Sequence, residues 1–295
     1  VKPPTAWASK GLEVEEWADR RFFRPLGFRV ATALAPTRLS ADHVTAASLL
    51  LGLVAGHLFA YRAWWCNAAG LALFLGSDLL DSADGQLARM RGTATRWGRL
   101  LDGLADNVRF LNLYLHLLVR LARAGWGWEA AALVAAAAIS HSWQSAAVDF
   151  VRNAYLSLGL GRTSELDLPG EGSPSAAAPR GRRLLRWLYA GYVRRQARLF
   201  PATAALASSL RDRPVPPSLA AAWRQEQAGV LAATAWIGQN VRWALLAGTA
   251  CLGWPAGFFW VTVGPLNVVL AGLVFAHERN ALRMSHPLEP AISDA

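Results

Sequence analysis

The chain has 295 residues, 54% hydrophobic and only 17% charged, with a formal charge of +10. So few charged side chains cannot cover an ordinary soluble protein, and the apolar residues gather in long blocks, so the expected solvent is a lipid bilayer. The basic excess does not indicate nucleic acid, because Lys and Arg alternate with membrane-length apolar runs instead of forming one groove-sized patch; anionic head groups and phosphorylated substrates are the expected partners.

In chain order, Glu13, Glu15, Glu16 and Asp19 come before any apolar core, so no cleavable signal peptide is expected. Residues 1–38 form a first region, in which Val14 to Leu34 mixes acids and arginines with Trp17, Phe22, Phe23, Leu26 and Phe28. That mixture predicts an amphipathic juxtamembrane helix on the membrane surface. Residues 39–282 form the main domain, where six segments approach the length of a span: 42–62, 66–88, 99–121, 127–150, 228–252 and 255–278. Each should be a helix, because only a helix or a closed barrel satisfies its backbone in lipid. The expected fold is therefore all-α, a polytopic membrane protein with six transmembrane helices.

Arg89, Arg91, Arg96 and Arg99 lie between the second and third segments, and a dense arginine series follows the fourth. Basic loops stay inside, so these connections and both termini should be cytoplasmic in a multi-pass protein of the cell membrane. The opposite connections hold Trp64, Trp65, Trp126, Trp128 and Trp254, as expected at a membrane interface; Arg120 and Arg123 run against the scheme. The polar connection 158–227 opens with a Gly, Pro and Ser composition around Gly170 to Pro179, which reads as a flexible linker. Arg182 to Phe200 then alternates arginines with apolar residues at helical spacing, either as a basic interfacial helix or as a lid over an active site. Pro265, after Gly264, predicts a kink in the sixth span, and 283–295 reads as a tail. Cys66 and Cys251 have neither a disulfide framework nor zinc-ligand spacing and read as packing residues.

The chemistry concentrates where the second segment ends and the third begins. Asp81 and Asp84 are three residues apart and share a helix face, while Gly98, Asp102 and Asp106 stack at four-residue steps on the next helix. Two neighbouring helices can thus aim four carboxylates at one point. An acid at the centre of a membrane helix costs about 2.5–3.5 kcal/mol on insertion scales, so four would cost roughly 10 kcal/mol uncompensated, less near the interface. A cation must hold them together, and oxygen-only ligands favour Mg2+ or Mn2+. Two such ions are the arrangement that clamps attacking and leaving oxygens in a phosphoryl displacement. Gly85 and Ala88 remove bulk beside the acids, Arg89 offers a fork for phosphate oxygens, and Gly98 leaves room where the third span starts.

The pattern D-x2-D-G-x2-A-R-x8-G-x3-D-x3-D is filled at every fixed position, by Asp81, Asp84, Gly85, Ala88, Arg89, Gly98, Asp102 and Asp106. In this the chain resembles the CDP-alcohol phosphotransferases. The segment Leu39 to Thr45 is also similar to that family's lead-in to its first span, although it lacks the usual Pro-Asn pair. The resemblance implies that Asp81, Asp84 and Asp102 ligate two divalent cations, Mg2+ or Mn2+. Asp106 would contribute to the metals and act as the base that deprotonates the acceptor hydroxyl. Asp81, Asp84, Gly85, Ala88, Arg89 and Gly98 would contact the CDP part. It further implies a homodimer and a phosphatidyl transfer from CDP-diacylglycerol to a polar alcohol, with release of CMP. Asp78, one turn before Asp81, reads as a metal ligand, as a cap on the nucleotide site or as a support for the ligands.

Elsewhere, His141, Gln144, Asp149 and Arg152 form one helical stripe on the fourth segment, and Asn107, Arg109, Gln239, Asn240 and Arg242 add polar groups to the third and fifth. Such groups line a cavity or pair together. Acceptor recognition is assigned to His141, Gln144, Arg152 and Arg242, the two arginines suiting an acceptor phosphate; inositol phosphate is preferred, glycerol 3-phosphate second. A divalent-cation transporter would explain the acids but not Gly85, Ala88, Arg89 and Gly98 at fixed offsets. A silent scaffold would be expected to have lost an acid.

Overall fold

The computed structural model describes residues 11, 13–170 and 180–285, and the described residues form helices and turns with no strand. The expected linker at Gly170 to Pro179 and the tail at 283–295 fall largely outside the described residues. The helices are α1 (Arg24–Leu34), α2 (Ala41–Leu58), α3 (Trp64–Met90), α4 (Arg96–Arg123), α5 (Trp128–Ala154), α6 (Arg180–Leu199), α7 (Pro201–Ser209), α8 (Pro217–Ala233), α9 (Gln239–Cys251), α10 (Pro255–Val263) and α11 (Pro265–Ser285). They divide into two compact units, Val1–Ile139 with Asn240–Val263, and Ser140–Gln239 with Gly264–Ala295.

The first unit is built on close approach of α2, α3 and α4. A capping box starts α2: Ser40 Oγ accepts from the His43 N–H, and His43 Nδ1 accepts from the Ser40 N–H at 3.1 Å. Ser48 and Ser77 then clasp α2 to α3, each hydroxyl donating to the other's carbonyl at 2.9 and 2.8 Å. Glycine faces make this possible, since a β-carbon at Gly52 would stand 2.5 Å from Arg109 Cδ and one at Gly70 would stand 2.8 Å from the Phe59 ring. Small residues let helix backbones approach where lipid supplies no hydrophobic drive for association. Around Phe59, Phe74, Leu113, Leu117 and Phe258 lies a buried apolar core, and Trp243 of α9 stacks between Phe74 at 4.6 Å and Phe110 at 5.3 Å.

Within the stretch Val14 to Leu34, a π-helical turn, Asp19–Phe23, runs into α1. It also packs on α3. A β-carbon at Gly27 would stand 2.9 Å from Ser82 Oγ, and Gln86 Nε2 donates to the Arg24 carbonyl at 3.1 Å. Arg91, at the end of α3, fastens the link between α1 and α2: Nη1 donates to Leu39 O at 2.5 Å, and Nη2 reaches the carbonyls of Leu34, Ala35 and Thr37 at 2.9, 3.2 and 2.9 Å.

In the second unit, Phe150 and Phe200 stack at 4.7 Å, and the buried His277 meets both edge-on, as it does Trp223. Glu278 caps α7 from α11, accepting from the N–H groups of Ala202 and Thr203 at 2.7 and 3.1 Å. The basic segment predicted from Arg182 to Phe200 is α6. Its Tyr192 hydroxyl donates to Asp149 at 2.5 Å, Arg195 Nη1 to Ser142 at 2.8 Å and Gln196 Nε2 to the Ala146 carbonyl at 3.1 Å, while Leu184 and Trp187 are exposed. Burial, reinforced by the Asp149 carboxylate, pushes the Tyr192 phenol well above its ordinary value and keeps it a donor.

Two stretches, Ala41–Leu58 and Pro255–Ser285, are by length and composition apolar enough to cross a membrane. Helices α3, α4 and α5 have 27, 28 and 27 residues, about 40 Å at 1.5 Å per residue, but intersperse charged and polar groups among the apolar ones. The segment 228–252 is not one helix. A 3-10 turn at Thr234–Ile237 ends α8, the Thr234 hydroxyl takes the Leu231 carbonyl at 2.7 Å, and Gly238 is extended before α9 begins. Apolar content alone does not register such a break, because it depends on backbone hydrogen bonding. The other interruption falls where proline predicted it: α10 ends at Val263 and α11 begins at Pro265, which has no N–H for the ladder.

Candidate functional site

The acids of the motif lie on α3 and α4, inside the first unit. One oxygen each from Asp81, Asp84 and Asp102 lie within 4.8 Å of one another. Asp84 is buried, and Asp81 and Asp102 are half-buried. The spacing of three on α3 and the adjacent α4 produce this convergence without a loop, so helix rigidity fixes it. From α2, Thr45 Oγ1 donates to Asp84 Oδ2 at 2.5 Å, orienting that carboxylate.

Arg109 is the hub of the remaining acids. Its guanidinium is buried, Nη1 donates to Ser77 Oγ at 2.6 Å and lies 3.4 Å from Asp78 Oδ1, and Nη2 lies 3.5 Å from Asp81 Oδ1 and pairs with Asp106. A buried guanidinium needs such partners, since an unpaired charge there costs several kcal/mol. Asp78 also accepts from the Trp243 indole N–H at 2.5 Å. Asp106 stands apart from the Asp81, Asp84 and Asp102 group. Its side chain is 38% exposed and is drawn to Arg109 one turn along the same helix.

Five carboxylates, Asp78, Asp81, Asp84, Asp102 and Asp106, thus gather on neighbouring turns of α3 and α4, with the Arg109 guanidinium against Asp78, Asp81 and Asp106. A divalent cation suits this group in charge and in donor type, since carboxylate oxygens are hard ligands. Mg2+ at about 2.0–2.1 Å per bond places adjacent ligands about 2.9 Å and opposite ones about 4.2 Å apart, so three oxygens within 4.8 Å of one another would draw together to share one ion.

The glycines of the motif face space. Among the described side chains, the nearest atom to a β-carbon at Gly85 would be Arg89 Nη1 at 3.4 Å, and to one at Gly98, Thr95 Oγ1 at 3.5 Å. Packing therefore does not demand glycine there, and the open backbone and the Arg89 guanidinium beside Gly85 can receive a phosphate-bearing ligand. Ala88 follows on the next turn of α3.

The residues expected to read the acceptor fall in different units. Arg242 is fully buried in the first. His141, Gln144 and Arg152 are in the second, where Gln144 Nε2 donates to Asn267 Oδ1 at 2.7 Å and Asn267 Nδ2 donates to Ser140 Oγ at 2.9 Å. For Gln144 the structure thus shows pairing between helices. Thr45 and Trp243 are the site residues that sequence reading left without a role, whereas Arg109, expected either to line a cavity or to pair, pairs with the acids.

Residues 38–157 match the family described as CDP-alcohol phosphatidyltransferase, the family that the motif resembles. The matched stretch covers α2 to α5 and contains every fixed position from Asp81 to Asp106. No curated protein matches the sequence.

Proposed function

We propose that this chain, matched over residues 38–157 to the CDP-alcohol phosphatidyltransferases, transfers a phosphatidyl group from CDP-diacylglycerol to the hydroxyl of a polar acceptor and releases CMP. The family's reaction joins a CDP-linked donor to an alcohol; the lipid donor and the acceptor are the finer part of the reading. The observation that carries it is the convergence of Asp81, Asp84 and Asp102 within the matched motif.

Two divalent cations, Mg2+ or Mn2+, would be held by Asp81, Asp84 and Asp102 with a contribution from Asp106, and when bound they supply charge neutralisation to the reacting phosphate and its leaving group. Asp106 takes the proton of the acceptor hydroxyl onto its carboxylate. The acceptor oxygen forms a bond to the phosphorus that carries the lipid, and the bond from that phosphorus to the bridging oxygen of CMP breaks. Arg109 fixes the direction of the Asp106 carboxylate, Thr45 that of Asp84. Gly85, Ala88 and Gly98 give the CDP part access to backbone, and Arg89 pairs with its phosphates.

A lipid donor is supported by an apolar cleft of about 500 Å3 in the first unit, lined by Phe22, Phe23, Leu26, Leu75, Leu79 and Trp243. The Trp243 that lines it also donates to Asp78, one turn before Asp81. For the acceptor we keep inositol phosphate, then glycerol 3-phosphate; its candidate residues are Arg242 in the first unit and His141, Gln144 and Arg152 in the second, the two arginines suiting a phosphate. We further propose the six-span arrangement with the site facing the cytoplasm, where 228–252 crosses as an interrupted segment.

The test is CMP release by the purified protein in lipid, with CDP-diacylglycerol, Mg2+ or Mn2+ and a panel of inositol phosphate, glycerol 3-phosphate, inositol, serine and glycerol. Release with one acceptor, abolished by chelation and lowered about 10²–10⁴-fold by Asp106→Asn, is expected. No release with any acceptor, or with another CDP-linked donor, would remove the assignment.

A further inference from the structure

A second group of metal-type donors lies away from the carboxylates, near the C-terminal end of α2. A β-carbon at Gly56 would stand 2.1 Å from Asn112 Oδ1 and 3.1 Å from the Leu113 N, so α2 and α4 approach closely there. That contact brings His57, the next residue of α2, against His116, one turn beyond Asn112. His57 Nδ1 lies 3.0 Å from His116 Nε2, and the rings meet edge to face at 88°.

The outer partners define which nitrogens are available. His116 Nδ1 is 2.8 Å from the Asn112 carbonyl, which can only accept, so that nitrogen carries the proton and Nε2 presents its lone pair. His57 Nε2 is 3.2 Å from the Tyr61 hydroxyl, which can donate or accept. Each imidazole thus has one nitrogen oriented by a neighbour and the other turned toward its partner. This is how outer hydrogen bonds prepare histidine for a metal.

We infer that His57 and His116 form a two-imidazole site for a borderline divalent cation of the Cu2+, Ni2+ or Zn2+ class, distinct in donor chemistry from the oxygen-only cluster. With metal–nitrogen bonds of about 2.0–2.1 Å, nitrogens 3.0 Å apart subtend about 90–97°, the angle between adjacent ligands of square or octahedral coordination. Binding moves the His57 proton from Nδ1 to Nε2, where the Tyr61 oxygen accepts it, so no net proton is released. His57 is exposed and His116 half-buried, which leaves the remaining coordination positions to water. Such an ion would staple α2 to α4 away from the catalytic acids.

The experiment is Cu2+ titration of tag-free full-length protein in detergent, read by electron paramagnetic resonance for imidazole nitrogen couplings, with Zn2+ as competitor. One Cu2+ showing imidazole coupling is expected, lost in His57→Asn and His116→Asn and weakened about 10–100-fold in Tyr61→Phe. Asp84→Asn should leave the signal in place, and Mn2+ binding by the two histidine variants should match that of the parent, which also reports their folding. Absence of nitrogen coupling, or coupling that persists in both histidine variants, would overturn the site and leave the pair as a hydrogen-bonded contact. None of these readouts uses CMP release, so failure here and failure of the enzyme reading are separate results.

Discussion

Glycines serve two regions of the first unit in opposite ways. At Gly52 a β-carbon would stand 2.5 Å from Arg109 Cδ and 2.7 Å from Cγ, atoms in the middle of a buried side chain, whereas at Gly85 and Gly98 the nearest atoms are side-chain ends at 3.4 and 3.5 Å. The α2 glycines make the architecture by admitting α4 and its arginine. Among the described side chains, none closes on the motif glycines in this way. Small residues in apolar helices thus carry two meanings, and only the surrounding atoms separate them.

The largest effect on this contrast should come from removing what Gly52 accommodates. Arg109→Leu leaves Asp78, Asp81 and Asp106 without their shared cation and should lower stability by about 3–5 kcal/mol in denaturant unfolding in detergent. An unchanged midpoint would mean that the acids are balanced otherwise. Thr45→Val removes the donor to Asp84 and should weaken Mn2+ binding and CMP release about 10–100-fold with little change in unfolding.

Gly52→Ala should cost about 1–3 kcal/mol through overpacking against the Arg109 methylenes, measured in the same unfolding assay. Gly85→Ala should do the reverse: stability equal to the parent or higher by up to about 1 kcal/mol from helix propensity, with a raised KM for the CDP-linked donor. If Gly52→Ala were neutral and Gly85→Ala destabilising, the assignment of the two regions would be exchanged.

The acidic motif was legible in sequence because its meaning lies in spacing along single helices, and helix geometry turns offsets of three and four directly into shared faces. The shared face of Asp81 and Asp84 follows from that alone, while the approach of Asp102 also needs α4 to lie beside α3. Arg109 was visible only as a polar residue in an apolar segment, since its contacts to Ser77, Asp78 and Asp81 depend on how α3 and α4 pack. The break at Gly238 was illegible for another reason: an apolar run reads the same whether or not its backbone hydrogen bonds continue. Gln144 shows the limit from the side-chain end, because a stripe facing inward is equally consistent with a cavity and with Asn267 across from it.

Arg91, one of the positive charges expected on a cytoplasmic connection, also spreads its guanidinium over four carbonyls between Leu34 and Leu39. Lysine would keep the charge but present one nitrogen where two are used. The consequence concerns length: connections between helices usually absorb insertions and deletions, but here each carbonyl has an assigned place around a fixed planar fork. Adding or removing a residue between Ala35 and Leu39 would leave at least one of those carbonyls out of reach, so this short link should be as intolerant of indels as a helix interior.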